Sequence, residues 1–112
     1  MNDKQWTYKG VVVNVVDGDT VDIFVDVGFR QSFTDRFRLF GINTPEIRGP
    51  EREKGLVSKK WLKDRVLGKE VVIDSHKDTR GKFGRWLADI WIDGVNVNKQ
   101  LVDLGLAEEK HY

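Results

Sequence analysis

Hydrophobic and polar residues alternate along the N-terminal part of the chain with the period of two that is typical of half-buried β-strands. The clearest run spans Thr20 to Val27, where valine or isoleucine occupies every second position. A β-branched run from Tyr8 to Val16 precedes it, and the alternation returns from Phe33 to Phe40. Asp17-Gly18 and the segment Gly28 to Ser32 separate the runs as turn signals. The pattern predicts three strands in an antiparallel meander.

The hydrophobic period then changes to that of a helix. Pro50 and the acidic residues that follow it are typical of a helix N-terminus. Apolar residues four positions apart, such as Val57 and Trp61, extend the pattern to about Leu67. The next residue is a glycine, which suits the left-handed position that ends a helix. Gly55 weakens the prediction for the first helical turn.

Two more strands and a short helix are predicted after this helix. The strands are Lys69 to Ser75 and Arg85 to Ile92, joined by a turn-rich connection from Thr79 to Gly84. Asp93-Gly94 is a tight turn, and a helix near Asn98 to Leu104 ends at the following glycine, with an asparagine as its N-cap.

The predicted order β-β-β-α-β-β-α is the order of the OB-fold, a five-stranded barrel that commonly binds oligonucleotides. We therefore predict a mainly β protein with helices (α+β), in which residues 1-112 form one domain. The four tryptophans lie in apolar patterns and are expected in the core. His76 and His111 are isolated in the sequence, and we expect both to be solvated loop or tail residues.

Composition excludes several classes of protein. Because the chain has no cysteine, it contains no disulfide bond, thiolate metal site or cysteine nucleophile. With 19 basic and 18 acidic residues, its net charge of +1 argues against coating nucleic acid by bulk charge. No apolar run approaches the roughly 20 residues that span a bilayer, and Met1 to Lys9 is polar rather than signal-like. We expect a soluble monomer without a membrane partner, either cytoplasmic or secreted with its signal removed.

Two arginines and a glutamate near strand ends indicate chemistry on a phosphate group. If Leu39 points into the core, the neighbouring Arg38 points away from it. Pro45 limits further strand pairing and leaves Glu46 on a loop. Taken singly, these residues and Arg85 have simpler interpretations, such as a surface ion pair or a charge at a helix N-terminus. Together they supply the carboxylate and the forked donors that phosphodiester hydrolysis needs.

Oxygen-bearing residues form a second candidate set, for a divalent cation. Asp19 supplies a carboxylate that it would share with the Asn43 side chain and the Thr44 carbonyl, if folding brings them together. The Asp17-Gly18 dipeptide before it is, on its own, a common hairpin turn. Such a cation, together with the two arginines and the glutamate, would supply the groups that phosphodiester hydrolysis needs.

Four segments resemble, in order, the main motifs of the staphylococcal nuclease (thermonuclease-like) family. They are Val16–Val21 (VDGDTV), Arg38–Glu46 (RLFGINTPE), Lys82–Ala88 (KFGRWLA) and Leu101–Ala107 (LVDLGLA). The resemblance extends over nearly the whole chain. It implies an OB-fold endonuclease that hydrolyses the phosphodiester bonds of DNA, RNA or both with calcium.

The resemblance also implies roles for individual residues. Asn43 stands where the family usually has a second aspartate ligand, and the lost negative charge predicts weaker calcium affinity. Phe83 stands where the family often has tyrosine, so a hydroxyl donor is lost. Position by position, the catalytic residues would be Arg38, Glu46 and Arg85, the metal ligands Asp19, Asn43 and Thr44, and the nucleotide contacts Lys82 and Phe83.

Two alternatives to a nuclease stay open. Asn43 and the OB-fold are also compatible with a weakly active or inactive nucleic-acid-binding module. A protein-interaction domain of the same fold is the second alternative, because a fold does not determine function. The joint presence of Arg38, Glu46 and Arg85 favours the enzyme, since an interaction domain does not need this set.

Overall fold

Residues 6–80 and 86–110 are described in this computed structural model. The described strands and helices follow the predicted order, with three additional short strands. The strands are β1 (Trp6–Asp17), β2 (Thr20–Gly28), β3 (Gln31–Leu39), β4 (Ile42–Asn43), β5 (Glu70–Arg80), β6 (Trp86–Ile92), β7 (Val95–Asn96) and β8 (Glu108–Glu109). The helices are α1 (Arg52–Val66), which a 3-10 turn at Gly49–Glu51 precedes, and α2 (Val97–Asp103).

The sheet closes into a barrel because β3 and β6 pair in parallel. Antiparallel pairs link the strands in the order β3-β2-β1-β5-β6, and β7 extends this sheet beyond β6. The parallel pair aligns Arg38 with Leu87 and Leu39 with Ala88. The short strands β4 and β8 form a separate pair. Five strands closed in this way, with a helix between β3 and β5, form the predicted OB-fold barrel.

The barrel interior is filled by alternate residues of the long strands. Val21, Ile23 and Val25 of β2 are almost fully buried, as their period-two spacing predicts. Leu39 is fully buried at the end of β3. Trp61 and Trp86 pack against this core and are partly buried. Apolar burial along the strands therefore supplies the main driving force for closing the barrel.

The hairpin between β2 and β3 differs from the prediction. The two strands continue further, so the turn consists only of Phe29 and Arg30, both in the left-handed region with φ of 57° and 62°. Phe33, which the alternation assigns to the core side, is 42% exposed. The reason is that β3 pairs with β6 only from Phe37 onward, so the outer part of β3 has β2 as its one described strand partner.

Helix α1 packs on the barrel through small residues. Val57, which was expected in an apolar pair with Trp61, is 57% exposed, so that expectation is wrong. The buried face contains Gly55 and Ser58 in addition to Leu62 and Val66. Gly55 lies within the helix because a Cβ there would be 2.2 Å from the backbone oxygen of Glu46. The glycine that weakens the helix by propensity permits its close contact with the loop after β4.

Strand β5 is longer than predicted. It continues past Ser75 to Arg80, so Thr79 belongs to a strand, while residues 81–84 of the predicted connection lie outside the described residues. His76, expected to be solvated, lies in β5 with its Nε2 2.8 Å from Asp89 Oδ2. Its ring stacks on Phe40 with centroids 3.6 Å apart. The expectation for His76 is wrong because β5 continues beside β6 at this point; His111 lies outside the described residues.

Helix α2 starts one residue earlier than predicted, and Asn96 caps it by accepting a hydrogen bond from the Lys99 amide at 3.1 Å. Gly105 follows in the left-handed region with φ of 76°, as predicted. Asn98 is buried and has a structural role. Its side-chain oxygen accepts from the Ile90 amide, and its nitrogen donates to the carbonyls of Phe40 and Ala88.

Within the described residues, neither helix has the length and apolar character needed to cross a lipid bilayer.

We predict that Gly55→Ala destabilises the protein, although alanine is the better helix former by about 1 kcal/mol. The added Cβ would overlap the Glu46 carbonyl, so the helix or the loop must move. Urea denaturation should show a loss of about 1–3 kcal/mol in the free energy of unfolding. Lys54→Ala, at an exposed neighbouring position in α1, is the control and should be neutral or slightly stabilising. A Gly55→Ala variant as stable as the wild type would contradict this packing.

Candidate active site at the closure of the barrel

Asp19 lies in the tight turn between β1 and β2 and is only 7% exposed. Its amide donates to Asp17 Oδ1 at 3.2 Å, and the Thr20 hydroxyl donates to Asp19 Oδ1 at 3.0 Å. Gly18 is needed for a close approach rather than for a positive φ. A Cβ there would lie 2.8 Å from Ser58 Cβ and 2.9 Å from Thr44 Oγ1. The turn is therefore packed against α1 and the loop after β4, which sets the position of Asp19.

Arg38 lies opposite Thr20 in the pairing of β2 with β3, one residue before the end of β3. It points away from the apolar core, as predicted, but it is only 8% exposed. Its Nη2 donates to Asp19 Oδ2 at 3.2 Å and to Asn43 Oδ1 at 2.8 Å. Its Nη1 donates to the carbonyl of Ile42 at 3.0 Å and, more weakly, to the carbonyl of Leu39 at 3.3 Å. The guanidinium thus connects the end of β3 to β4 and to the β1–β2 turn.

All three predicted metal ligands lie close together at this point. The Thr44 amide donates to Asp19 Oδ2 at 3.1 Å, and Asn43 contacts the same carboxylate indirectly through Arg38. Pairing of Asn43 with Glu108 in β8 holds this segment in place. The structure shows the Thr44 amide on Asp19, so the proposed role of the Thr44 carbonyl stays a prediction.

Glu46 lies two residues beyond Thr44, on the loop between β4 and α1, and its side chain is exposed. Its amide donates to Glu51 Oε1 at 3.3 Å, and its carbonyl faces Gly55 in α1. The backbone of this loop is therefore fixed by the helix, which leaves the carboxylate of Glu46 facing solvent.

Arg85, Lys82 and Phe83 lie outside the described residues, so their predicted roles stay predictions. The strand that follows them starts at Trp86, which pairs with Phe37 of β3. The Trp86 indole also donates to Asp35 Oδ2 at 2.8 Å, which fixes the start of β6 against β3.

The carboxylates of Asp17 and Asp19 influence each other. Burial, together with the hydrogen bond and the negative charge of Asp19, raises the pKa of Asp17 to about 6. Burial opposes ionisation of Asp19 too, but the hydrogen bond with Asp17, the charge of Arg38 and the Thr44 amide together lower the pKa of Asp19. Asp19 is therefore the carboxylate that stays ionised beside Arg38. Asp17 was not among the predicted site residues, although its spacing of two from Asp19 was the available signal.

The oxygen atoms at this site suit a hard divalent cation. Within residues 6–80 and 86–110 there is no group of three or more histidine, cysteine, aspartate or glutamate side chains placed to hold a metal. The site does combine the carboxylates of Asp17 and Asp19 with the amide oxygen of Asn43. Carboxylate and amide oxygens are the ligands that Ca²⁺ and Mg²⁺ prefer. These oxygen ligands are therefore of the type that such an ion binds, although few of them carry a negative charge.

Fold and site together define an OB-fold protein with a buried aspartate–arginine pair at the barrel closure. A sequence model described as "Staphylococcal nuclease homologue" matches residues 36–112. This match covers more than half of the chain, so the chain belongs to the staphylococcal nuclease homologue family.

Individual relatives agree with this membership. A thermonuclease of Staphylococcus hyicus is 32% identical over 114 residues, which cover 99% of this chain and 63% of that protein. A protein of Escherichia coli O157:H7 described as an uncharacterized endonuclease is 34% identical over 99 residues, with 88% and 58% coverage. Protein ParB of Escherichia coli is 33% identical over 108 residues, with 88% and 55% coverage. The chain thus spans from 55% to 63% of the length of these curated relatives.

We predict that Asp17→Asn stabilises the protein at neutral pH. The folded state binds the Asp17 proton more tightly than the unfolded chain, so this group lowers stability as pH rises from 3.8 to about 6. The free energy of unfolding of the variant, relative to that of the wild type, should therefore rise by about 1–2 kcal/mol from about pH 4 to pH 7, after allowance for solvent screening. The measurement is urea denaturation at both pH values in the presence of chelator.

The control for this prediction is Asp22→Asn, which should change stability in the opposite direction. A hydrogen bond from Arg36 lowers the pKa of Asp22. The stability that this pair contributes is present above the ordinary pKa of an aspartate and is lost as pH falls. Because Arg36 is half exposed, we expect a loss of about 0.2–1 kcal/mol at neutral pH. An Asp17→Asn variant that loses stability relative to the wild type as pH rises would contradict the raised pKa of Asp17.

Proposed function

We propose that this chain is a nuclease that hydrolyses phosphodiester bonds of DNA, RNA or both with the help of a divalent cation, for which calcium is the first candidate. The observation that carries the proposal is the convergence of the buried Asp19, Arg38 and Thr44 with the exposed Asn43 in one hydrogen-bonded cluster. Membership of the family and relatives described as thermonuclease and endonuclease support it.

Arg38 would bind the phosphoryl group in this mechanism. A guanidinium presents two parallel N–H donors that match two phosphate oxygens, and it stays charged at any working pH. In this structure its Nη1 donates to the carbonyls of Leu39 and Ile42 and its Nη2 to Asp19 and Asn43, so a phosphate would replace part of these contacts. A guanidinium in this position would stabilise the charge that develops on the phosphate in the transition state. Since the whole chain carries a net charge of +1, recognition of phosphate depends on such local placement.

Asp19, Asn43 and the Thr44 carbonyl would hold the cation. When bound, calcium supplies positive charge against a phosphate oxygen. Asp19 is suited to this role because its lowered pKa keeps it ionised. Asn43 contributes an oxygen without a negative charge, which should leave the affinity for calcium lower than with two carboxylates.

Glu46 would orient or deprotonate the attacking water. Packing of α1 against its backbone fixes the loop that carries it, and its side chain is exposed to water. Arg85 would bind a second phosphate oxygen and assist the leaving oxygen. Lys82 and Phe83 would contact the nucleotide, with Phe83 contributing its ring but no hydroxyl.

A second candidate function is binding of nucleic acid with little catalysis. The observation that favours it is Asn43, because a site with one charge fewer holds a cation less strongly. An OB-fold barrel provides a binding surface for single strands without any metal.

We predict that Glu46→Gln and Arg85→Lys each reduce cleavage by about 100- to 1000-fold, the cost of one lost electrostatic or proton-transfer group. For Arg38 the informative variant is Arg38→Lys, because Arg38→Ala would also remove buried hydrogen bonds and reduce stability. Plasmid nicking with calcium, magnesium or chelator measures the activity.

Matched control variants distinguish the loss of a catalytic group from a change in surface charge. Glu53→Gln, exposed in the first turn of α1, and Arg36→Lys, exposed on β3, should both retain cleavage. Circular dichroism and urea denaturation check that each variant is folded. Wild-type turnover in all three site variants would remove the site assignment.

We predict that Asn43→Asp strengthens calcium binding and raises cleavage at limiting calcium, because it restores a negative charge beside Asp19. Gln31→Glu, which adds the same charge to the distant, exposed start of β3, is the control and should change neither quantity. Cleavage that rises in Asn43→Asp supports an enzyme with a weakened metal site. Tight binding of nucleic acid without cleavage in either protein supports the binding module, and absence of both activities supports a protein-interaction domain.

A further inference from the structure

One nitrogen atom of Arg38 contacts both of the side-chain oxygens that we assign to the cation. Nη2 lies 3.2 Å from Asp19 Oδ2 and 2.8 Å from Asn43 Oδ1. The side chains of Arg38 and Asp19 are only 10% and 9% exposed, so the contact between these two is shielded from bulk water, whereas Asn43 is exposed. Calcium would lie about 2.3–2.6 Å from such oxygens. A positive group of the protein therefore already stands between the two ligands.

The guanidinium is held in this position from its other side as well. Nη1 donates to the carbonyls of Ile42 and Leu39 at 3.0 Å and 3.3 Å. These carbonyls belong to the end of β3 and the start of β4, which pairings with β6 and β8 fix in place. The location of the guanidinium therefore follows from the closure of the barrel.

Charge balance indicates that Arg38 and a divalent ion compete for the oxygens of Asp19 and Asn43. The single charge of Arg38 neutralises the single charge of Asp19, and the oxygen of Asn43 is neutral. Two positive groups bound to the same pair of oxygens would repel each other, and the burial of Asp19 and Arg38 strengthens this repulsion. A neutral oxygen accepts a guanidinium hydrogen bond well, yet it attracts a doubly charged ion less than a carboxylate would. Asn43 thus favours Arg38 in this competition.

We propose that Arg38 acts as an internal counter-ion that competes with a divalent cation for Asp19 and Asn43, so that calcium affinity depends on displacement of the Arg38 guanidinium. The inference rests on the proposed function in one respect, which is the assignment of Asp19 and Asn43 as ligands. According to this proposal, Arg38, which would bind phosphate, also limits how tightly the substrate-free protein binds calcium. Without Arg38, the two oxygens would be available to the ion at no cost of displacement.

The test is calcium titration by calorimetry of the wild type, Arg38→Gln and Arg36→Gln. Glutamine removes the charge but keeps an amide donor for Asp19 or Asn43. Arg36 is the matched control because it lies two residues earlier on the same strand and pairs with Asp22 at 2.8 Å, with half of its side chain exposed. We expect Arg38→Gln to bind calcium about tenfold more tightly than the wild type, and Arg36→Gln to be unchanged.

A folded Arg38→Gln variant with unchanged or weaker calcium affinity would overturn the proposal, and so would absence of calcium binding in both proteins. A second measurement uses the wild type alone, in case Arg38→Gln does not fold. Nitrogen-15 NMR of the arginine side chains during calcium titration should show a shift and faster hydrogen exchange for Arg38, with Arg36 unaffected. An Arg38 signal that stays unchanged at saturating calcium would equally overturn the proposal.

These measurements are independent of cleavage. If the variants of Glu46 and Arg85 retain full turnover while calcium and Arg38 compete as described, the proposed catalytic roles fail and the counter-ion role stands. If those variants lose activity while Arg38 stays in place at saturating calcium, the counter-ion role fails and the nuclease proposal stands.

Discussion

The buried ion pair between Asp19 and Arg38 imposes the strongest constraint on this structure. Two charges removed from water destabilise a fold unless hydrogen bonds satisfy their remaining donors and acceptors. Here the Thr20 hydroxyl and the Thr44 amide satisfy the carboxylate, and backbone carbonyls such as that of Ile42 satisfy the guanidinium. These partners come from the β1–β2 turn, the end of β3 and the loop after β4. The pair is compatible with the native state only when all three segments are assembled, which is also the condition for a functional site.

Close backbone packing makes this assembly possible. Gly18 lets the β1–β2 turn contact Ser58 and Thr44, and Gly55 lets α1 contact the carbonyl of Glu46. Both glycines therefore act through their lack of a side chain and bring the helix against the two loops that carry the acidic residues. The barrel supplies most of the apolar burial, while the small residues of α1 set the distances within the site. Stability and site geometry thus depend on the same contacts.

The sequence was sufficient to predict the order of the long strands and the helix between them, because period-two and four-residue apolar spacings are local signals. It also placed Asp19 and Arg38 in one candidate site, although only folding shows that they touch. Other features depend on contacts between distant segments and leave no local signal. The role of Gly55 depends on a loop nine positions earlier in the chain, and the contact of His76 depends on Asp89 in the next strand. Phe33 is exposed because β6 pairs with only part of β3.

The Asp19–Arg38 pair joins the turn, the strand end and the loop into one energetic unit. A double-mutant cycle on the free energy of unfolding, with Asp19→Asn, Arg38→Gln and the double variant, measures the coupling between the two side chains. We expect a coupling energy of about 1.5–3 kcal/mol for this buried pair. The exposed Asp22–Arg36 pair, measured in the same way, should give about 0.2–1 kcal/mol. Equal coupling energies in the two pairs would show that the buried pair does not join these segments.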